Sequence, residues 1–247
     1  MLKLQGRVAV VTGGASGIGA ACVALLSENG VLPVTWDLAE ESDVRCDVTN
    51  EVSVNAAIKA TREKFGSPSL LVACAGIVDG TAIQDMTVAK WDRVFAVNMR
   101  GVMLSVQAVA REIMAVGGDG SMVLISSVNS VVADPGLSAY SASKAAVSQF
   151  ARVAAREFGP YGIRVNSVGP GPTDTPMLSD LMKRPEYREE LVQRSALRAI
   201  GSPLFVAEAV VSLLQLEWVT GQALMVDGGS SLNTGRTNWQ RPELNAP

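Results

Sequence analysis

Arg7-Val8-Ala9-Val10-Val11-Thr12-Gly13-Gly14-Ala15-Ser16-Gly17-Ile18-Gly19 decides the fold. Arg7–Thr12 is a β-branched, apolar run, which reads as a strand buried on both faces. It runs straight into glycines at 13, 14, 17 and 19, and a helical pattern follows over Gly17–Asn29, with Gly30 as its stop. Strand, glycine turn and helix in that order put backbone N–H groups and a helix N-terminus at one point, which favours a pyrophosphate. Gly13, Ser16, Gly17, Ile18 and Gly19 are therefore candidate dinucleotide contacts.

The same alternation continues outward. Strand-like runs fall at Val31–Asp37, Asp43–Asp47, Leu70–Ala75, Met122–Ser127, Ile163–Val168 and Gln222–Val226. Helical stretches fall at 50–65, with Asn50 as N-cap, from Thr87, over 101–116 after the apolar Phe95–Val97, and at 138–158 and 203–216. Apolar strands alternating with helices predict an α/β fold. The expected form is a doubly wound, parallel, seven-stranded, Rossmann-like sheet with helices on both faces. The stretch from Asp37 to Arg45 is too short for a crossover helix, so a turn or loop replaces it. One domain over 1–247 is expected, with a substrate lid at 176–202 and a polar tail at 230–247, frayed or docked on a partner subunit.

Composition narrows the chemistry. Hydrophobic residues make up 48% and charged residues 18%, with a net charge of -3 and a pI near 5.1. No basic block suggests nucleic acid, and no run is long enough to span a membrane, so a cytoplasmic protein with neither partner is expected. The N-terminus has no signal-peptide pattern. Cys22, Cys46 and Cys74 match no metal spacing and read as reduced, packed thiols; no metal is expected. The absence of histidine excludes Ser-His-Asp and Cys-His catalysis and the zinc-binding HExxH helix. General acid–base work falls to Tyr, Lys, Asp, Glu or Cys.

Two further features fit a nicotinamide dinucleotide. Asp37 ends the second strand about 20 residues after the glycines, where an acid bonds the adenosine ribose and repels a 2′-phosphate. With Leu38 beside it, and no Lys or Arg in the turn or just after Asp37, the expected cofactor is NAD rather than NADP. Tyr140 and Lys144 lie four apart on one helical face. An ammonium beside a phenol favours the phenolate, so the Tyr140 pKa is expected below its usual value of roughly 10.

Taken in order, Thr12–Gly19, Asp47-Val48, Ala75-Gly76, Asn98, Ser127, Tyr140–Lys144 and Pro170-Gly171 with Thr173 and Thr175 make residues 5–230 resemble the short-chain dehydrogenase/reductases. The resemblance implies that Tyr140 is the acid/base and that Lys144 lowers its pKa and holds the nicotinamide ribose. Ser127 would bond the substrate oxygen, and Asn98 would bind a water linking Lys144 to solvent. Asp47 and Val48 would contact adenine, and Cys74, Ala75 and Gly76 would line the cofactor. Pro170, Gly171, Thr173 and Thr175 would hold the carboxamide. Where the family carries Asn-Asn-Ala-Gly, this chain has Ala73-Cys74-Ala75-Gly76 and loses two amides.

The implied activity is interconversion of a secondary alcohol, small, cyclic or steroid-like, and a ketone. A 3-oxoacyl thioester reductase and a silent nucleotide-binding scaffold are the alternatives. In the lid, Met177, Leu178, Leu181 and Met182 with Lys183, Arg184, Arg188 and Arg194 suit either a solvated face or an acyl chain on an anionic carrier. Val128–Leu137, with Asn129 and Asp134, borders the pocket. The family also implies a homotetramer or homodimer packed through the helices at 100–116 and 138–158.

Overall fold

The computed structural model describes residues 4–232, so most of the polar tail lies outside the described residues. Seven strands form one parallel sheet: β1 (Val8–Thr12), β2 (Leu32–Asp37), β3 (Val44–Arg45), β4 (Leu70–Ala73), β5 (Gly120–Ile125), β6 (Ile163–Pro170) and β7 (Ala223–Val226). Their spatial order is β3-β2-β1-β4-β5-β6-β7. Strand order reverses between β1 and β4, whose ends pair as Thr12 with Ala73. In an open α/β sheet that reversal opens a crevice beyond the carboxyl ends of the strands.

Every residue of β1 is buried, because successive side chains alternate between two covered faces. Val8 and Val10 pack with Trp36, Leu71 and Leu124 beneath three helices, α2 (Glu51–Phe65), α4 (Gly101–Val116) and α5 (Ser138–Phe158). Ala9 and Val11 pack on the opposite face with Val72 and Val123, covered by α1 (Gly17–Glu28) and α8 (Pro203–Gln215). Trp36 is wholly buried and still satisfies its indole N–H, which donates to Thr61 Oγ1 of α2 at 2.9 Å. Asn50 caps α2 by accepting from the N–H groups of Val52 (2.9 Å) and Ser53 (3.2 Å).

The short link from β2 to β3 contains no helix. Asp43 ties it back: its carboxylate accepts from the Thr35 N–H at 2.9 Å and from the Thr35 hydroxyl. Several strand boundaries depart from the sequence reading; β3 shrinks to Val44–Arg45, and the starts of β1, β2 and β7 each move in by one residue. β4 ends at Ala73, and β5 covers 120–125 rather than 122–127, because Gly120 already pairs with Ile163. β6 runs on to Pro170, drawn out by β7, which pairs along Ser167–Pro170.

The apolar Phe95–Val97 does not interrupt a helix. One helical run joins α3 (Val88–Phe95) to α4 through a π-turn at Ala96–Arg100. The wide turn inserts an extra residue and shifts the helix phase, so a fixed 3.6-residue period loses the pattern there. Asn98 sits in that turn and is fully buried.

Candidate active site

A cavity of about 980 Å³ opens at the strand ends. This is the upper end of the usual range for ligand sites, roughly 300–1,000 Å³. Gly13, Ser16, Gly17, Ile18 and Gly19 line it at the first turn; Asp37, Leu38, Asp47 and Val48 line the adenosine side expected from sequence. Cys74, Ala75, Gly76, Ser127, Tyr140, Lys144, Pro170, Gly171, Thr173 and Thr175 line the remainder. Asn98 alone among the candidate site residues is not in the wall.

The glycine turn is shaped by contact. A Cβ on Gly19 would stand 2.0 Å from the Gly13 carbonyl oxygen, and one on Gly13 would stand 2.8 Å from the Ala75 backbone. Gly13 also has a φ of 66°, in the left-handed region. Thr12 fastens the facing wall: its Oγ1 accepts from the Ala75 N–H at 3.2 Å, and its carbonyl accepts from the Cys74 N–H at 3.1 Å. These bonds hold the wall despite the missing family amides. Asp37 Oδ2 accepts from the Ala15 N–H at 3.1 Å and Oδ1 from the Leu38 N–H at 2.7 Å, so the carboxylate bridges the turn and the end of β2. Arg45 is its register partner on β3 but does not line the cavity.

Asp47 and Val48 begin the approach to α2. Asp47 Oδ1 accepts from the Thr49 N–H at 2.9 Å and the Thr49 hydroxyl at 2.7 Å, which fixes the turn. Beyond β6, Gly171 donates its N–H to the Val226 carbonyl at 3.0 Å, and the Thr173 hydroxyl donates to the Gly171 carbonyl at 2.9 Å. Thr175 crosses to the first turn, where a Cβ on Gly17 would lie 3.5 Å from it.

The catalytic candidates meet where β5 and α5 converge. Lys144 is 3% exposed and donates from Nζ to the Ile125 carbonyl at 2.8 Å, with Nζ 5.8 Å from the centroid of the Tyr140 ring. Burial pushes the Lys144 amine down to about 8, with Cys74 pulling slightly back. Tyr140 departs from expectation. Burial raises its phenol above the usual value, and a hydrogen bond with Ser127 draws it only partly back. Lys144 is not among the groups that shift it, because the ammonium is turned to the Ile125 carbonyl and lies over the ring. The phenol of the chain by itself is thus a neutral proton donor.

Ser127 Oγ accepts from the Asn129 N–H at 3.1 Å. Asn98 works from behind the wall: Nδ2 donates to the Ile77 carbonyl at 2.9 Å and to Ser143 Oγ at 3.0 Å, and Oδ1 accepts from the Ile77 N–H at 2.8 Å. Ser143 Oγ donates in turn to the Tyr140 carbonyl at 2.7 Å. Asn98 thereby braces both the Cys74–Ile77 wall and the helix turn that carries Tyr140. Above Gly76 a Cβ would lie 3.3 Å from Lys144 Nζ and 3.4 Å from Asn98 Oδ1, so those atoms face one small gap. The Cys74 thiol is pushed well above its usual value, first by the Cys22 thiol beside it and then by burial.

The lid segment contains α6 (Ser179–Met182) and α7 (Pro185–Arg194). Met177, Leu178 and Arg194 line the cavity; Leu181, Met182, Lys183, Arg184 and Arg188 do not. Sequence reasoning missed Tyr187, Glu190 and Leu191, which line it from α7, and Val78 and Val97 from the opposite wall. The helical spacing of 187, 190, 191 and 194 was the available signal, hidden by the charged residues between. Among the described residues no group of His, Cys, Asp and Glu could hold a metal ion, and no helix is long and apolar enough to cross a membrane.

A family model described as Enoyl-(Acyl carrier protein) reductase matches residues 13–231. The chain belongs to the short-chain dehydrogenase/reductase family. It is an oxidoreductase of that family, whose dehydrogenases use nicotinamide cofactors. It is 39% identical over 241 residues to cis-4-hydroxycyclohexanecarboxylate dehydrogenase of Sinomonas cyclohexanicum, covering 90% of this chain and 96% of that protein. It is 38% identical to 2-(R)-hydroxypropyl-CoM dehydrogenase of Xanthobacter autotrophicus, covering 90% and 97%. Cyclopentanol dehydrogenase of Comamonas testosteroni is 34% identical, covering 94% and 100%. The ligand-free aldohexose dehydrogenase of Thermoplasma acidophilum superposes with a TM-score of 0.88 at 30% identity, covering 97% of this chain and 98% of that one.

Proposed function

We propose that this short-chain dehydrogenase/reductase interconverts an alicyclic secondary alcohol and its ketone, using NAD(H). One observation carries the reading: Ser127, Tyr140 and Lys144 share one cavity with the glycine turn and Asp37. The cradle suits a dinucleotide on steric grounds: Gly13 and Gly19 leave no room for a Cβ against the Ala75 backbone and the Gly13 carbonyl, so the turn keeps the tight backbone a pyrophosphate needs. Asp37 would bond the adenosine ribose hydroxyls, Asp47 and Val48 would flank adenine, and Lys144 would hold the nicotinamide ribose. Pro170, Gly171, Thr173 and Thr175 would hold the carboxamide. Asp37 disfavours a 2′-phosphate, and among the described residues no Lys or Arg lines the cavity beside Asp37 and Leu38, which supports NAD over NADP.

A bound nicotinamide supplies or accepts the hydride. In ketone reduction Tyr140 donates one proton to the carbonyl oxygen, and the Ser127 hydroxyl bonds that oxygen as negative charge gathers on it. In oxidation the proton returns to the phenolate. The Lys144 amine, lowered to about 8, would return a proton to the phenolate. Asn98 Oδ1 and Lys144 Nζ face the same gap above Gly76, where a water held by both would relay the proton.

The substrate end has apolar walls, among them Val97, Val132, Leu137 and Leu178. That lining and the named substrates of the cyclohexane and cyclopentanol relatives support an alicyclic alcohol. The lid supports the acyl-carrier alternative less: Lys183 pairs with Asp180, and Arg194 pairs with Asp134 and Glu190. A homotetramer or homodimer packed through α4 and α5 is part of the same proposal.

The test is absorbance of reduced nicotinamide with a panel of cyclic secondary alcohols and NAD. The expected outcome is turnover by the wild type and a loss of about 10³-fold in kcat for Tyr140→Phe. Tight NADH binding with no turnover across the panel would overturn the enzyme reading and favour the scaffold.

A further inference from the structure

The Ser127 hydroxyl is a rotor, and its usefulness at the reacting oxygen depends on what fixes it. Two contacts come from Asn129: its N–H donates to Ser127 Oγ, and its Oδ1 lies 3.4 Å from the same oxygen. Asn129 is fixed in turn by Asp134, whose Oδ2 accepts from Asn129 Nδ2 at 2.8 Å. The other Asp134 oxygen, Oδ1, accepts from Arg194 Nη1 at 2.7 Å, 60 residues away on α7. Arg194 Nη2 pairs with Glu190 one helical turn back, at 2.9 Å. One half-buried carboxylate therefore holds the Ser127 loop with one oxygen and the lid with the other.

We propose that Asn129, Asp134 and Arg194 are positioning residues that couple closure of the 176–202 lid to the orientation of the Ser127 hydroxyl. The coupling rests on the oxidoreductase reading for its effect on turnover, but its geometry does not. With α7 seated, Arg194 holds Asp134, Asp134 holds the Asn129 side-chain amide, and Asn129 holds Ser127 Oγ in place, ready to turn its one proton from Asn129 Oδ1 to the substrate oxygen. With α7 lifted, Asp134 is released and the Asn129 side chain with it, and Ser127 Oγ keeps only the backbone N–H of Asn129. Substrate contact with the lid thus prepares the group that stabilises charge at the carbonyl oxygen, a way to realise binding energy at the reacting centre.

Arg194→Met keeps the length and apolar stem of the side chain but removes the ion pair. Amide hydrogen exchange of the full chain is measured by mass spectrometry, alongside kcat for the variant in two backgrounds. Exchange is expected to accelerate at least about threefold over 128–134 as well as over 185–194. Arg194→Met is expected to lower kcat by about tenfold in the wild-type background and by less than about twofold in the Asn129→Ala background, where the link is already cut. Acceleration confined to 185–194, or the same loss of kcat in both backgrounds, would overturn the coupling and leave Arg194 as a plain lid anchor. If the wild type turns over no alcohol, the proposed alcohol–ketone activity fails, while the exchange measurement still decides the coupling.

Discussion

The two ends of the cavity are built from different materials. The cofactor end is backbone: glycines without room for a Cβ, strand ends, and N–H groups held by Thr12 and Asp37. The substrate end is side chain: Ser127, Asn129, Asp134, Tyr187, Glu190 and Arg194 meet there from a loop and a lid helix. Backbone sterics tolerate almost no change, whereas a side-chain network can be retuned one residue at a time. A fold with one fixed dinucleotide cradle can therefore serve many alcohols.

The contrast breaks most sharply at Gly19. Gly19→Val drives a side chain into the Gly13 carbonyl oxygen, 2.0 Å from the ideal Cβ position, and the turn must open. Losing two charge-assisted backbone bonds to a pyrophosphate, each worth roughly 1.5–3 kcal/mol, lowers NADH affinity by about 100-fold or more. Fluorescence titration with NADH reads this directly. Wild-type affinity in a folded Gly19→Val protein would mean that the cofactor end is not made of backbone at all.

Lys144 joins the two ends and sets function against stability. Its amine keeps a proton to roughly pH 10.4 when unfolded but only to about 8 when buried, so the folded chain carries a buried ammonium at neutral pH at a cost of about 3 kcal/mol. Lys144→Met removes that cost but strips the Ile125 carbonyl of its donor, worth about 1 kcal/mol. The variant is expected to be more stable at pH 7 by about 2 kcal/mol in urea denaturation, with kcat lower by about 10²-fold. The sign follows from the proton count. Between pH 8 and 10.4 or so the unfolded wild type binds the extra proton, so wild-type stability rises with pH and the gap to the variant closes. A variant less stable at pH 7 would contradict this.

Asp37 sharpens the contrast because it is a side chain working at the backbone end. Its carboxylate holds the Ala15 and Leu38 N–H groups and points negative charge at the place a 2′-phosphate would take. Asp37→Ala is expected to shift the NADPH-to-NADH affinity ratio about tenfold to a hundredfold toward NADPH, by losing a charge-assisted ribose bond and the repulsion together. Titration of both cofactors against both proteins measures it. An unchanged ratio would place the discrimination elsewhere, with Arg45 on β3 the next residue to change.

What could be read from the sequence follows the same division. β1, the glycine turn and α1 were legible because backbone constraint leaves a local mark: β-branched residues, then glycine, then a 3.6-residue period. Asn50 as a cap was legible for the same reason. The π-turn at Ala96–Arg100 was not, since an inserted residue breaks the period that reveals a helix. The Asp134–Arg194 pair was not, since it joins residues 60 apart whose types are ordinary on any surface. The direction of the Tyr140 shift was misjudged for a third reason. Spacing on a helix brought Lys144 close to the ring, but the burial of the phenol and the Ile125 carbonyl that claims the ammonium are tertiary facts.

Cys74 gives the smallest expected effect and a test of how far backbone construction extends. It stands in the cofactor wall where the family carries an amide, and a thiol near a cofactor invites a chemical role. The geometry argues for packing. Its N–H is already bonded to the Thr12 carbonyl, its sulfur lies beside that of Cys22, and both that neighbour and burial hold the thiol protonated. A protonated thiol is a poor nucleophile and a weak hydrogen-bond partner. Cys74→Ala removes one sulfur and leaves the backbone bonds intact, so kcat and NADH affinity should stay within about twofold while stability falls by about 1 kcal/mol from the small cavity. Steady-state kinetics and urea denaturation of the same preparation separate the two outcomes. A loss of turnover at unchanged stability would give this thiol a chemical part, and the wall would then be side chain where the comparison says it is backbone.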